Sequence, residues 1–254
     1  MDVLDLLLGS SPAIGLAAVA VTIIAGFVQG VTGLGFAAVF TPLIVLIAPQ
    51  PQQVVVLSLF LGAVLSLGIA VQSRHDLRLP RCWPLLVGGV LGTPVGIAVL
   101  MVLPARMLMQ SIAVLALLVA ATSLVGLPGP IRREPAAVAV AGLFGGFLNG
   151  STSLGGLPPA LLVSIQRWPT ADGRAALVVF NLVSYVLALV SAAVTGTAMA
   201  DLVLGGLWLL PAAALGALLG TCAARRLSAA AFRMALVGII GVSGVAGLIT
   251  SLRA

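Results

Sequence analysis

Apolar runs of membrane-crossing length alternate along this chain with short breaks that carry Arg, Pro, Asp or Glu. A helix needs about 20 residues to cross the hydrocarbon core of a bilayer. Six runs meet that length, at 54–73, 84–103, 107–126, 175–198, 203–222 and 232–251. Two further stretches, 13–47 and 136–165, do not fit. Each is too long for one untilted helix and too short for two full helices and a turn. A Gly-rich polar knot interrupts each near its middle. The first knot runs from Gly26 to Phe36 and reads GFVQGVTGLGF. The second runs from Gly146 to Gly156 and reads GFLNGSTSLGG.

The knots align without gaps at an offset of 120 residues. Phe27 falls on Phe147, Gln29 on Asn149, Gly30 on Gly150, Thr32 on Thr152, Leu34 on Leu154 and Gly35 on Gly155. Downstream, Phe60 falls on Phe180, and the Leu91–Gly96 segment resembles Leu215–Gly220 at an offset of 124. Both of these segments carry the small-xxx-small spacing that lets helices approach closely. The chain thus divides into two membrane repeats, 1–127 and 128–254, each one knotted segment followed by three spans. Together they form one integrated transmembrane domain. The expected fold is all-α and polytopic.

Composition agrees. Of 254 residues 61% are hydrophobic and only 7% charged, and mean hydropathy is +1.27. A soluble domain carries about 25% charged residues. This excludes a soluble enzyme, a disordered chain and a nucleic-acid binder, since the Arg residues form no basic stripe. Cys82 and Cys222 lie far apart and read as small buried apolar residues. The acidic start, MDVLD, lacks the basic n-region of a signal peptide, so it is expected to be retained.

All basic residues other than His75 are Arg, 12 in number, and they discriminate between topologies. If each knotted segment crossed once, the loops would divide the Arg six against six. If each is instead a hairpin of two short helices, one side collects Arg74, Arg78, Arg81, Arg132, Arg133, Arg167, Arg174, Arg225, Arg226 and Arg233. The other keeps Arg106 and Arg253. Cytoplasmic loops concentrate Arg, so the hairpin solution is preferred. Three spans per repeat is an odd number, so the second repeat is inverted and both termini lie outside the cytoplasm. Hairpin arms of 11–18 residues fit broken or re-entrant helices, although crossing short helices remain open.

Non-helical backbone at membrane depth requires partners from protein or a water-filled cavity, and matched breaks mark transporter binding sites. The helix after each knot would begin near Thr32–Gly35 and Thr152–Gly155, with a partial positive charge at its N-terminus. The candidate substrate residues are Gln29, Gly30, Thr32, Gly33 and Gly35 in the first knot. In the second they are Asn149, Gly150, Ser151, Thr152, Ser153 and Gly155. Hydroxyls and amides there would serve as donors, and two such termini would hold an anion without a charged side chain. Helix packing is the alternative role for a single knot. No acidic residue lies inside a span, which disfavours a cation pathway. Ser58, Asn181, Ser184 and Tyr185 are pathway-lining candidates. His75 and the Arg167–Asp172–Arg174 segment read as solvated loops. Trp83, Trp168 and Trp208 read as interfacial anchors. No metal-ligand set, catalytic motif or cofactor motif is found, and a Walker lysine is impossible without Lys.

The two knots, each followed by a Pro-containing apolar segment (Pro42; Pro158-Pro159), resemble the sulfite exporter TauE/SafE family over the whole chain. The resemblance implies a permease of the bacterial inner membrane. It would move sulfur-containing or organic anions such as sulfite, sulfoacetate or thiosulfate. It places the substrate region at Gln29–Gly35 and Asn149–Gly155. Family motifs often end in adjacent glycines, whereas here Phe36 stands opposite Gly156, so the two half-sites differ in shape. The expected function is therefore a secondary anion transporter. The partners are a small anion, the lipid bilayer and a coupling ion, either H+ or a counter-anion, with no nucleic acid. An anion channel or a non-transporting assembly protein are the alternatives. The anion, the direction of transport and the oligomeric state are left open.

Overall fold

The computed structural model describes residues 12–48, 50–122, 131, 133–194, 199–223 and 229–253. Among them the chain is all-helical. The first half contributes α1 (Pro12–Thr32), α2 (Phe36–Val45), α3 (Pro51–Ser73), α4 (Leu79–Val102) and α5 (Ala105–Thr122). The second contributes α6 (Glu134–Thr152), α7 (Leu157–Ile165), α8 (Thr170–Val194), α9 (Met199–Ala223) and α10 (Ala229–Arg253). Five helices, α1, α3, α4, α8 and α9, are long and apolar enough to cross a membrane. Leu16, Val102, Val194 and Leu218 point outward, as residues in contact with lipid do.

All six expected spans appear as helices. The knotted segments differ from expectation in one respect: their arms are unequal. α1 and α6, with 21 and 19 residues, rise about 31 and 28 Å, whereas α2 and α7, with 10 and 9, rise only about 15 and 14 Å. The break comes late because the helix continues through Gln29 and Asn149 and stops only where Gly33 and Ser153 turn left-handed.

The second knotted segment ends where it began. Gln166 Nε2 donates to the Ile131 carbonyl at 3.2 Å, and Trp168 Nε1 donates to Glu134 Oε1 at 2.8 Å. The same end of the molecule holds the start of α4, because Arg81 Nε meets that Glu134 oxygen at 2.8 Å and its guanidinium lies over the Trp168 ring. Arg78 pairs there with Asp172 at 2.8 Å. Trp168 is therefore a buried strap between loops rather than a lipid-facing anchor, while Trp83 and Trp208 are exposed as expected. Asp172 is not a solvated loop residue. Cys82 is buried, but Cys222 is exposed, contrary to the sequence reading.

The most extensive helix contacts join the two halves: α4 with α6, α1 with α9, α5 with α10 and α3 with α8. Glycine makes two of them possible. At the α4–α6 crossing Gly92 lies against the Leu143 carbonyl and Gly96 against the Phe147 carbonyl. At the α1–α9 crossing Gly216 lies against the Ile23 carbonyl and Gly220 against the Phe27 carbonyl. These four are the small residues that the 124-residue offset had paired. With no hydrophobic drive between helices inside a bilayer, such backbone contact is a main source of association.

Candidate functional site

The two knots are built by one hydrogen-bond scheme. Gly33 N–H donates to the Gln29 carbonyl at 2.7 Å, and Ser153 N–H to the Asn149 carbonyl at 3.0 Å, which closes each long helix at a left-handed residue. Thr32 and Thr152 hydroxyls donate to the Val28 and Leu148 carbonyls at 2.8 and 2.9 Å. Those same hydroxyls accept from Leu34 and Leu154 N–H. The amide side chains then reach forward to the following short helix. Gln29 Oε1 accepts from Phe36 N–H at 3.0 Å, and Asn149 Oδ1 from Gly155 N–H at 2.7 Å. Asn is one methylene shorter than Gln, and it caps one aligned position earlier.

Each amide nitrogen passes the chain of bonds onward. Gln29 Nε2 donates to Ser66 Oγ on α3 at 3.3 Å. Asn149 Nδ2 donates to Asn181 Oδ1 on α8 at 3.2 Å. Sequence reading had offered Gln29 and Asn149 as donors to a ligand. In the structure both are occupied within the protein.

A cavity of about 170 Å³ lies between the knots. The first knot lines it with Thr32, Leu34 and Gly35, and α2 adds Ala37 and Ala38. The second knot lines it with Ser153, Leu154 and Gly156, and α7 adds Leu157 and Ala160. Asn181 and Tyr185, one turn apart on α8, complete the polar part of the wall. Across it the Thr41 and Ser153 hydroxyls share a hydrogen bond of 2.7 Å. No charged side chain lines this cavity.

Two donors face it without partners. Asn181 is 1% exposed and Tyr185 is 3% exposed. Among the described residues neither the Asn181 amide nitrogen nor the Tyr185 hydroxyl makes a hydrogen bond. Buried polar groups are normally satisfied, so two such donors on one wall mark a place for a ligand or water. The first turns of α2 and α7 also end here. At α2 the Ala37 and Ala38 N–H groups have no intrahelical acceptor. At α7 the second and third residues are Pro158 and Pro159, which have no N–H.

Of the sequence-derived candidates, the cavity thus gathers Thr32, Gly35, Ser153, Asn181 and Tyr185. Gly30, Gly150 and Gly155 serve close packing against Ala217, Thr93 and Gly145. Ser151 and Thr152 border a separate groove of about 650 Å³ between α4, α5 and α6. Ser58 and Ser184 are buried beside neither, each with an unpartnered hydroxyl.

Arg174 was assigned to a solvated loop, and the structure corrects this. Its side chain lies against Gly33, and Nη2 donates to the Gly30 carbonyl at 3.3 Å. Thr221 Oγ1 reaches the same oxygen at 3.5 Å. A cation at a helix C-terminus complements the helix dipole, so Arg174 of the second half pins the knot of the first. No sequence signal distinguished Arg174 from its neighbour Arg167.

The profile of the sulfite exporter TauE/SafE family matches residues 18–247, which takes in both knots and nearly all of the helices. No match is found among curated proteins or among solved structures.

Proposed function

The chain belongs to the sulfite exporter TauE/SafE family, a family of membrane transporters, and on that premise we propose a secondary carrier of small anions such as sulfite. We infer no catalytic step. The substrate would sit in the cavity between the knots, held by the first-turn N–H groups of α2, the Asn181 amide and the Tyr185 hydroxyl. The observation that carries this is the meeting of both knots and two unpartnered buried donors at one cavity. Its volume, about 170 Å³, is below the roughly 300–1,000 Å³ of drug-sized ligand sites, which suits a small ion.

The same reading takes 1–127 and 128–254 as inverted repeats in the bacterial inner membrane, with both termini outside the cytoplasm. The exchange-related contacts support it: α1 packs on α9 as α6 packs on α4. Transporters of this kind carry substrate between repeats and rock one against the other. The coupling ion would be H+ or a counter-anion.

The test is uptake of labelled sulfite, thiosulfate and sulfoacetate into proteoliposomes of the purified chain. Flux of at least one above protein-free vesicles is expected. Folded protein that moves none of them would end this reading.

A further inference from the structure

The cavity wall bears on the charge of the substrate, and the inference that follows rests on the transport reading above. Removing an ion from water carries a penalty that grows with the square of its charge, so a dianion loses about four times what a monoanion of equal size loses. Attraction to neutral donors and helix dipoles grows only in proportion to charge. A site for dianions therefore needs cationic side chains, and this one has none.

Its remaining donors are few. Gln29 and Asn149 have each taken up one N–H at the start of the short helices. Pro158 and Pro159 remove two more from α7. The nearby Arg174 guanidinium is directed at the Gly30 carbonyl and is not part of the wall. What is left is the Asn181 amide, the Tyr185 hydroxyl and the first turn of α2, beside apolar surface from Val28, Val119, Leu154 and Ile240.

The Asn181 donor is oriented by a relay. Gly155 N–H fixes the oxygen of Asn149, which turns the Asn149 nitrogen toward Asn181 Oδ1. The Asn181 nitrogen is thereby left for the cavity. The matching relay in the first half ends on Ser66, which is buried away from the cavity. Polar recognition is thus one-sided, and the opposite wall is apolar.

We propose that the site selects singly charged oxyanions with a weakly hydrated end, hydrogensulfite or a short alkanesulfonate, over dianions. The full chain is reconstituted, and labelled sulfite uptake is competed with methanesulfonate, sulfoacetate and thiosulfate at one pH. Methanesulfonate is expected to inhibit at a concentration at least about tenfold lower than either dianion, as unequal desolvation requires. In a pH series at constant total sulfite, uptake should follow the hydrogensulfite fraction, while methanesulfonate uptake stays level. Equal or better competition by the dianions would overturn the inference and leave the carrier standing. Absence of uptake of every anion would overturn the carrier reading, and this one with it.

Discussion

Asn149 Nδ2 donates to Asn181 Oδ1 at 3.2 Å, and the direction of that bond is set from the backbone, because Asn149 Oδ1 already accepts from Gly155 N–H at 2.7 Å. One peptide N–H in the second knot therefore orients a side chain on a different helix toward the cavity. Removing the Asn181 donor by Asn181→Leu should lower kcat/KM for sulfite uptake by roughly 10- to 100-fold, the worth of one hydrogen bond to a charged partner. Tyr185→Phe should lower it too, with the ring still seated against Gly62. Thr22→Val, which removes only a bond to its own helix, should leave uptake near wild type. Initial rates against concentration, on protein checked for monodispersity, separate these cases.

The α4–α6 crossing has no room for a side chain at Gly92, where a Cβ would overlap the Leu143 carbonyl oxygen. Gly92→Val should destabilise the fold by about 1–3 kcal/mol or more, since backbone rather than a flexible side chain must yield. Gly68 faces open space, and Gly68→Ala should be neutral. Thermal unfolding in detergent, followed by size exclusion, compares the two.

At the end of the molecule outside the apolar runs, Glu134 is held below the usual carboxylate range. The Arg81 hydrogen bond is the main cause, against opposing desolvation and with help from the Trp168 N–H and the Arg81 charge. A depressed folded pKa contributes stability that is present above the unfolded value and is lost as pH falls through the folded one. Stability should therefore fall on acidification below the ordinary glutamate range. Glu134→Gln should lose about 1 kcal/mol or less at neutral pH, as partly exposed pairs do, and should lose that part of the acid sensitivity. Melting temperatures across a pH series read both effects.

Trp168 beside Glu134, and Asp172 beside Arg78, put the loop after α7 at the same end as the loop after α3. In a background lacking the exposed Cys222, cysteines at His75 and Arg167 should react with an impermeant thiol reagent from one side only. A cysteine at Arg106 should react from the other. A shared side for Arg167 and Arg106 would restore the single-crossing topology.

The spans were legible in the sequence because a bilayer demands about 20 apolar residues from any helix that crosses it. The knots were legible because Gly, Thr and an amide recur in register at Gln29–Gly35 and Asn149–Gly155. The unequal hairpin arms were not, since the break depends on where a left-handed residue is tolerated, and Ser153 gives no sign of that in sequence. Nor was the reversal of Asn149 from ligand donor to cap. Its role depends on Gly155 and Asn181, six and 32 residues away, meeting it in space. Arg174 was missed for the same reason: its partner, Gly30, is 144 residues distant.

Counterflow tests the carrier reading most directly. Proteoliposomes of the purified chain are loaded with unlabelled sulfite or left empty, and labelled sulfite is added outside. Alternating access at a site between the knots requires saturable uptake that is faster into loaded vesicles, and requires that Asn181→Leu abolish the acceleration. Linear uptake, unaffected by internal sulfite and unchanged by Asn181→Leu, would contradict it.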